Sequence, residues 1–91
     1  MNTIGKRIRA LRLDKKMTQL ELARLLKTTQ DSISLWEKDK RLPTTQNLIE
    51  LTKILKVSAD YLLGLEDEYG TKLYINNSFN NINGSNNFKI K

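Results

Sequence analysis

Histidine and cysteine are both absent from the 91 residues of this chain. That removes the commonest general base, the thiolate nucleophile and the usual zinc ligands. The carboxylates are scattered or stand where a helix start would use them, and no glycine-rich phosphate loop is present. What remains for chemistry is hydrogen bonding. In TTQDSISLWEKDKR, Thr28 to Arg41, short Thr, Gln, Asp and Ser side chains fill the first two turns of a helical pattern. Its apolar members are Ile33, Leu35 and Trp36, and the cations Lys38, Lys40 and Arg41 follow directly. An ordinary solvated face would carry long Glu and Lys instead. Such a surface suits recognition, not bond breaking, so the sequence reads as a non-enzyme with no metal and no cofactor.

Charge narrows the partner. Residues 1–65 hold 13 Lys/Arg against 7 Asp/Glu, a net of +6, whereas residues 66–91 hold 3 of each. A small, strongly basic domain reads as nucleic-acid-binding or, less often, as binding an anionic membrane surface. Lack of cysteine fits a reducing compartment. No apolar run approaches the roughly 18 residues of a membrane span, and the N-terminus does not read as a secretion signal. The expected setting is the cytoplasm, with no membrane partner.

The elements that must position these side chains follow from periodicity. NTIGKRIRALRLDKK places Ile4, Ile8 and Leu11 on one helical face. TQLELARLL opens with a capping box, Thr18 with Glu21, and continues with Leu22, Leu25 and Leu26. The third helix starts at Thr28 or Thr29, either of which can cap it. After Pro43, TTQNLIELTKILK carries Leu48, Leu51, Ile54 and Leu55 at helical spacing, and SADYLLG is a short helix between Ser58 and Gly64. Only a three- or four-residue turn fits between the second and third helices, which sets them at a steep angle. Ala23 falls where they cross, and Leu22, Leu26, Ile33 and Trp36 would pack the corner from inside.

Two domains of unequal kind are expected: residues 1–65, all-α with five helices, and an Asn-rich tail over residues 66–91. LEDEYG reads as an acidic hinge. Beyond it apolar residues alternate over Leu73–Phe79, and Asn83–Gly84 is a hairpin-turn signal, so a short β-forming element is expected in place of a disordered tail.

From about Ile4 to Gly64 the arrangement resembles the phage repressor/Cro helix-turn-helix family, also called Xre-type. The resemblance rests on TQLELARLLKTTQDSISLWEKDKRLP and LIELTKILKVSADYLLG. It implies a five-helix, lambda-repressor-like DNA-binding domain in which the helix over about 29–37 lies in the major groove while the preceding helix crosses the backbone. One departure stands at Lys27, where the family usually has Gly in the turn. A left-handed non-Gly residue there costs roughly 1–2 kcal/mol.

With that geometry implied, roles can be assigned. Gln30, Asp31, Ser34 and Leu35 become candidate base readers: Gln30 toward adenine, Asp31 toward cytosine N4, Leu35 against a thymine methyl. Asp31 has an equal claim as the capping-box partner of Thr28. Thr18, Gln19, Thr29, Ser32, Lys38, Lys40 and Arg41 become candidate phosphate contacts. The resemblance further implies a partly buried Arg12–Glu37 ion pair and a small dimer contact around Tyr61, Leu62 and Leu65. In the tail, Ile75, Phe79, Ile82 and Phe88 are candidates for further self-association. The expected function is a sequence-specific transcriptional regulator of the repressor class, binding a palindromic operator as a dimer or higher oligomer. The alternative is a protein-interaction module, antitoxin-like or anti-defence, that binds a partner protein through the tail. Phage, plasmid, antitoxin and restriction-control roles share such a domain.

Overall fold

The computed structural model describes residues 2–67 and 69–72. Among them are five helices: α1 (Ile4–Asp14), α2 (Gln19–Leu26), α3 (Gln30–Glu37), α4 (Thr45–Leu55) and α5 (Ala59–Leu63). Each begins at a hydroxyl. Thr3, Thr18, Thr29, Thr44 and Ser58 each accept from the N–H three residues on, satisfying a donor the helix cannot. At α2 the capping box is complete, with Glu21 Oε1 accepting from the Thr18 N–H at 2.7 Å. For α3 the cap is Thr29, so its bonded N–H belongs to Ser32 and not to Asp31. The Thr28–Asp31 capping box is therefore not formed.

Helix ends are equally regular. Behind each helix one residue takes a left-handed conformation: Lys16, Lys27, Asp39, Lys56 and Gly64. The next N–H reaches back to close the last turn, as Met17 does to Arg12 O at 3.0 Å and Leu65 to Asp60 O at 2.7 Å. Glycine serves at the last of these positions alone; lysines hold three of the other four.

Among the described residues, nine side chains form the core: Ile8, Leu22, Ala23, Leu26, Ile33, Trp36, Leu51, Leu55 and Leu62. α3 is central, packed on α1 and α2, while α4 and α5 close the bundle. Burying each large aliphatic contributes about 1.5–3 kcal/mol, more than the helices could supply by propensity. Leu62 corrects one expectation. It is 0% exposed, so it cannot reach a second chain, and the outward residues here are Leu63 and Leu65 at 41% and 40%.

The acidic stretch expected as a hinge is instead a closed turn on α5. Glu66 and Lys72 form an antiparallel bridge, and Asp67 Oδ1 accepts from the N–H groups of Tyr69 and Thr71 at 2.9 and 2.8 Å. Lys72 Nζ donates to Asp60 Oδ2 at 2.8 Å and lies 2.9 Å from Glu66 Oε2, and the Ser58 hydroxyl donates to Glu66. The β element expected over Leu73–Phe79, the Asn83–Gly84 turn, and Ile75, Phe79, Ile82 and Phe88 lie outside the described residues.

Candidate nucleic-acid interface

α2, its turn and α3 form the corner that the sequence pattern requires. Lys27 adopts φ 58° and ψ 42°, and the Thr28 N–H returns to Ala23 O at 2.9 Å. Ala23, 1% exposed, lets the two helices approach closely. Ile33 and Trp36 anchor α3 from within, which leaves the opposite side of its first turns outward. There Gln30 and Asp31 are exposed, and Ser34 and Leu35 are half-buried. Among the described residues no hydrogen bond engages the side chains of Gln30, Asp31 or Ser34. Their donors and acceptors are available to a ligand.

The flanking groups divide into two sets. Lys38, Lys40 and Arg41 are exposed beyond the end of α3. Thr29 and Ser32 share a hydroxyl–hydroxyl hydrogen bond of 3.0 Å, and Thr18 keeps its hydroxyl proton while accepting from Glu21. Gln19 is more committed than its sequence position suggests. Its amide nitrogen donates to Glu37 Oε1 at 3.0 Å, leaving one amide proton and its backbone N–H for an anion; its carbonyl oxygen would repel one.

Behind this surface lies the buried ion pair. Arg12 Nε donates to Glu37 Oε2 at 2.6 Å and Nη2 to Oε1 at 3.0 Å, a bidentate fork with side chains 8% and 3% exposed. Arg12 Nη1 also donates to Met17 O at 2.7 Å, so one guanidinium joins α1, the α1–α2 loop and the end of α3. The hydrogen bond to Glu37 raises the Arg12 pKa above its ordinary value, with burial opposing. Glu37, at the end of α3, thereby holds both Arg12 of α1 and Gln19 of α2. Asp39, in the middle of the cation run, is given no role by the sequence, yet its carboxylate accepts from Thr3, the cap of α1, and from Gly5 in its first turn. An acid placed just behind a helix end, where left-handed residues occur, is the signal that could have drawn notice. No group of three or more metal-ligating side chains occurs among the described residues.

The profile of the helix-turn-helix family matches residues 8–62, more than half the chain. The chain belongs to that family. Among its helix-turn-helix relatives, the HTH-type transcriptional regulator DicA of Escherichia coli K12 is 44% identical over 70 residues, covering 76% of this chain and 52% of DicA. Repressor protein C2 of Salmonella phage P22 is 42% identical over 65 residues, 69% of this chain and 30% of C2. The chain thus spans about half the length of DicA and about a third of C2. Similar solved helix-turn-helix structures include the P22 c2 repressor in complex with a synthetic operator, with a TM-score of 0.67 at 38% identity over 69% of this chain and 96% of that one. SinR in complex with DNA gives a TM-score of 0.61 at 30% identity, over 66% and 97%. The repressor-like five-helix domain and the family expected from the sequence are those found.

Proposed function

We infer that this chain is a sequence-specific DNA-binding transcriptional regulator, of the repressor kind, acting in the cytoplasm as a dimer or higher oligomer on a dyad-symmetric operator. The observation that carries the reading is the outer side of α3. Its Gln30, Asp31 and Ser34 side chains are exposed or half-buried and uncommitted, and the exposed cations Lys38, Lys40 and Arg41 follow the helix directly. Solved relatives of the same fold are described as complexes with operator or other DNA, which supports the same assignment. In it, α3 enters the major groove; Gln30 reads a base edge with its amide, with Asp31, Ser34 and Leu35 beside it. Thr18, Gln19, Thr29, Ser32 and the cations hold phosphates and fix register. One α3 covers too few base pairs for an operator, so two chains are needed, with half-sites about one helical turn apart. Tyr61, Leu63 and Leu65 offer the first contact between them.

Selection of bound duplexes from random DNA, followed by binding of the winner across a salt series, tests this. With about three phosphates neutralised per protomer, log K against log salt is expected to fall with a slope near −5. A slope near zero, or a selection that yields no dyad, would overturn the reading.

A further inference from the structure

One acid, Asp39, stands among the cations that follow α3, and its carboxylate is committed elsewhere. Oδ2 accepts from the Thr3 hydroxyl at 2.6 Å and Oδ1 from the Gly5 N–H at 3.1 Å, across 36 and 34 residues of chain. Thr3 Oγ1 itself accepts from the Lys6 N–H at 3.1 Å, so one hydroxyl caps α1 and donates across to Asp39. Asp39 also closes α3. Its own N–H reaches Trp36 O at 3.0 Å, the following Lys40 N–H reaches Leu35 O at 2.9 Å, and its φ is 59°. Glycine adopts that conformation with less strain, so the aspartate side chain must be accounted for by what it holds. Gly5 completes the contact: a Cβ there would lie 2.1 Å from Trp36 O and 2.6 Å from Asp39 Oδ1. The first turn of α1 is seated directly on the end of α3.

We propose that Asp39 is the positioning residue of the DNA interface, its carboxylate anchoring the Lys38–Arg41 run to the first turn of α1. This rests on the DNA-binding reading above. The anchor has two effects. It fixes Lys38, Lys40 and Arg41 relative to α3 before DNA arrives, which removes an ordering cost from binding. It also places the negative charge against the α1 N-terminal donors, where the helix dipole favours it, and leaves the positive field beside it for phosphates.

The sign of a substitution separates this role from simpler ones. Asp39→Gly tolerates the backbone conformation and removes the carboxylate; Asp39→Asn tolerates it and keeps one acceptor oxygen. Both are compared with the full-length protein by equilibrium binding to the selected operator and to a random duplex at one salt concentration. Backbone 15N relaxation of residues 38–41 is measured alongside. Expected for Asp39→Gly are affinities for operator and random duplex both lower, by about tenfold, and reduced order over 38–41, partly restored in Asp39→Asn. A bystander carboxylate gives the opposite result: without it, both duplexes bind more tightly by similar factors. That outcome overturns the proposal, as does a lowered Tm with unchanged affinity for both duplexes. Should Asp39→Gly fail to fold, Thr3→Val removes the hydroxyl half of the anchor, and unchanged affinity there overturns it equally. A wild-type protein that binds neither duplex overturns the DNA reading itself, whereas wild-type binding with an unaffected Asp39→Gly overturns the anchor alone.

Discussion

Gln30 and the cations behind α3 make different demands on a ligand. Gln30→Ala removes a bidentate amide, so it is expected to cost about 1–3 kcal/mol on the selected operator and to relax preference at one position per half-site. Lys40→Ala or Arg41→Ala is expected to weaken all duplexes alike and to flatten the salt slope. Equal losses on operator and random DNA for Gln30→Ala would remove Gln30 from base reading. Inside the domain, Glu37→Ala would strand the Arg12 guanidinium and leave Gln19 without its acceptor, with an expected stability loss of about 3–5 kcal/mol in denaturant unfolding. A loss below about 1 kcal/mol would mean that water reaches the pair. These residues differ in how legible they were. Ile33 and Trp36 announce themselves by spacing, and the outward polar set follows by subtraction. Asp39 and Gln19 do not, because their partners are 18 to 36 residues away and only the folded chain brings them together. Leu62 misleads for a related reason: next to Tyr61 and Leu63 it shares their composition, and only the packing angle of α5 turns it inward.

At the scale of elements, helix starts were more legible than helix ends, of which only Gly64 and the turn at Lys27 could be placed. A hydroxyl three residues ahead of its bonded N–H is a local pattern, so Thr18, Thr44 and Ser58 could be placed from sequence. The ends rely on Lys16, Lys27, Asp39 and Lys56 in a conformation usually marked by glycine, and lysine carries no such mark. Those lysines lie near helix C-termini, where a cation is favoured, but the backbone strain remains. Lys56, which closes α4 away from the proposed interface, tests its size. Lys56→Gly is expected to raise stability by about 1 kcal/mol, or about 4–8 °C in Tm, without changing DNA affinity. A lowered Tm would show that the lysine stem contributes more than the strain removes. The turn on α5 responds to pH in a fixed direction. The Ser58 hydroxyl and then Lys72 hold the Glu66 carboxyl below its ordinary value, and the Thr71 and Tyr69 N–H groups do the same for Asp67. A depressed carboxylate contributes stability above its unfolded pKa and loses it as pH falls through the folded one. The turn is therefore expected to stay closed through the ordinary carboxylate range and to open below it. Carboxyl 13C titration reads this directly; a Glu66 midpoint at or above the ordinary value would contradict the observed contacts.

Across the whole molecule, charge is unevenly placed along the chain. The net of +6 lies within residues 1–65, while residues 66–91 are neutral overall and carry Ile75, Phe79, Ile82 and Phe88. The outward apolar surface around α5 is modest: Leu63, Leu65 and the ring of Tyr69, with Tyr61 half-buried 5.7 Å from the Arg7 guanidinium. Such a patch supports a weak dimer, and a weak dimer on two half-sites gains greatly from any second point of association, because linkage raises effective concentration without adding DNA contacts. We propose that residues 73–91 supply that point by pairing with the same residues of another chain. The place to cut follows from the turn on α5. Ending the chain at Leu65 would strip α5 of Glu66 and Lys72, confusing loss of assembly with damage to the domain; ending it at Lys72 keeps both. The chain truncated after Lys72 is expected to retain its helical circular dichroism and its affinity for a single half-site. Its mass by sedimentation should fall toward that of one chain, and its affinity for the full operator should drop on the order of a hundredfold. If mass and operator affinity both match the full-length protein, assembly resides in the Leu63–Leu65–Tyr69 surface and residues 73–91 serve some other partner.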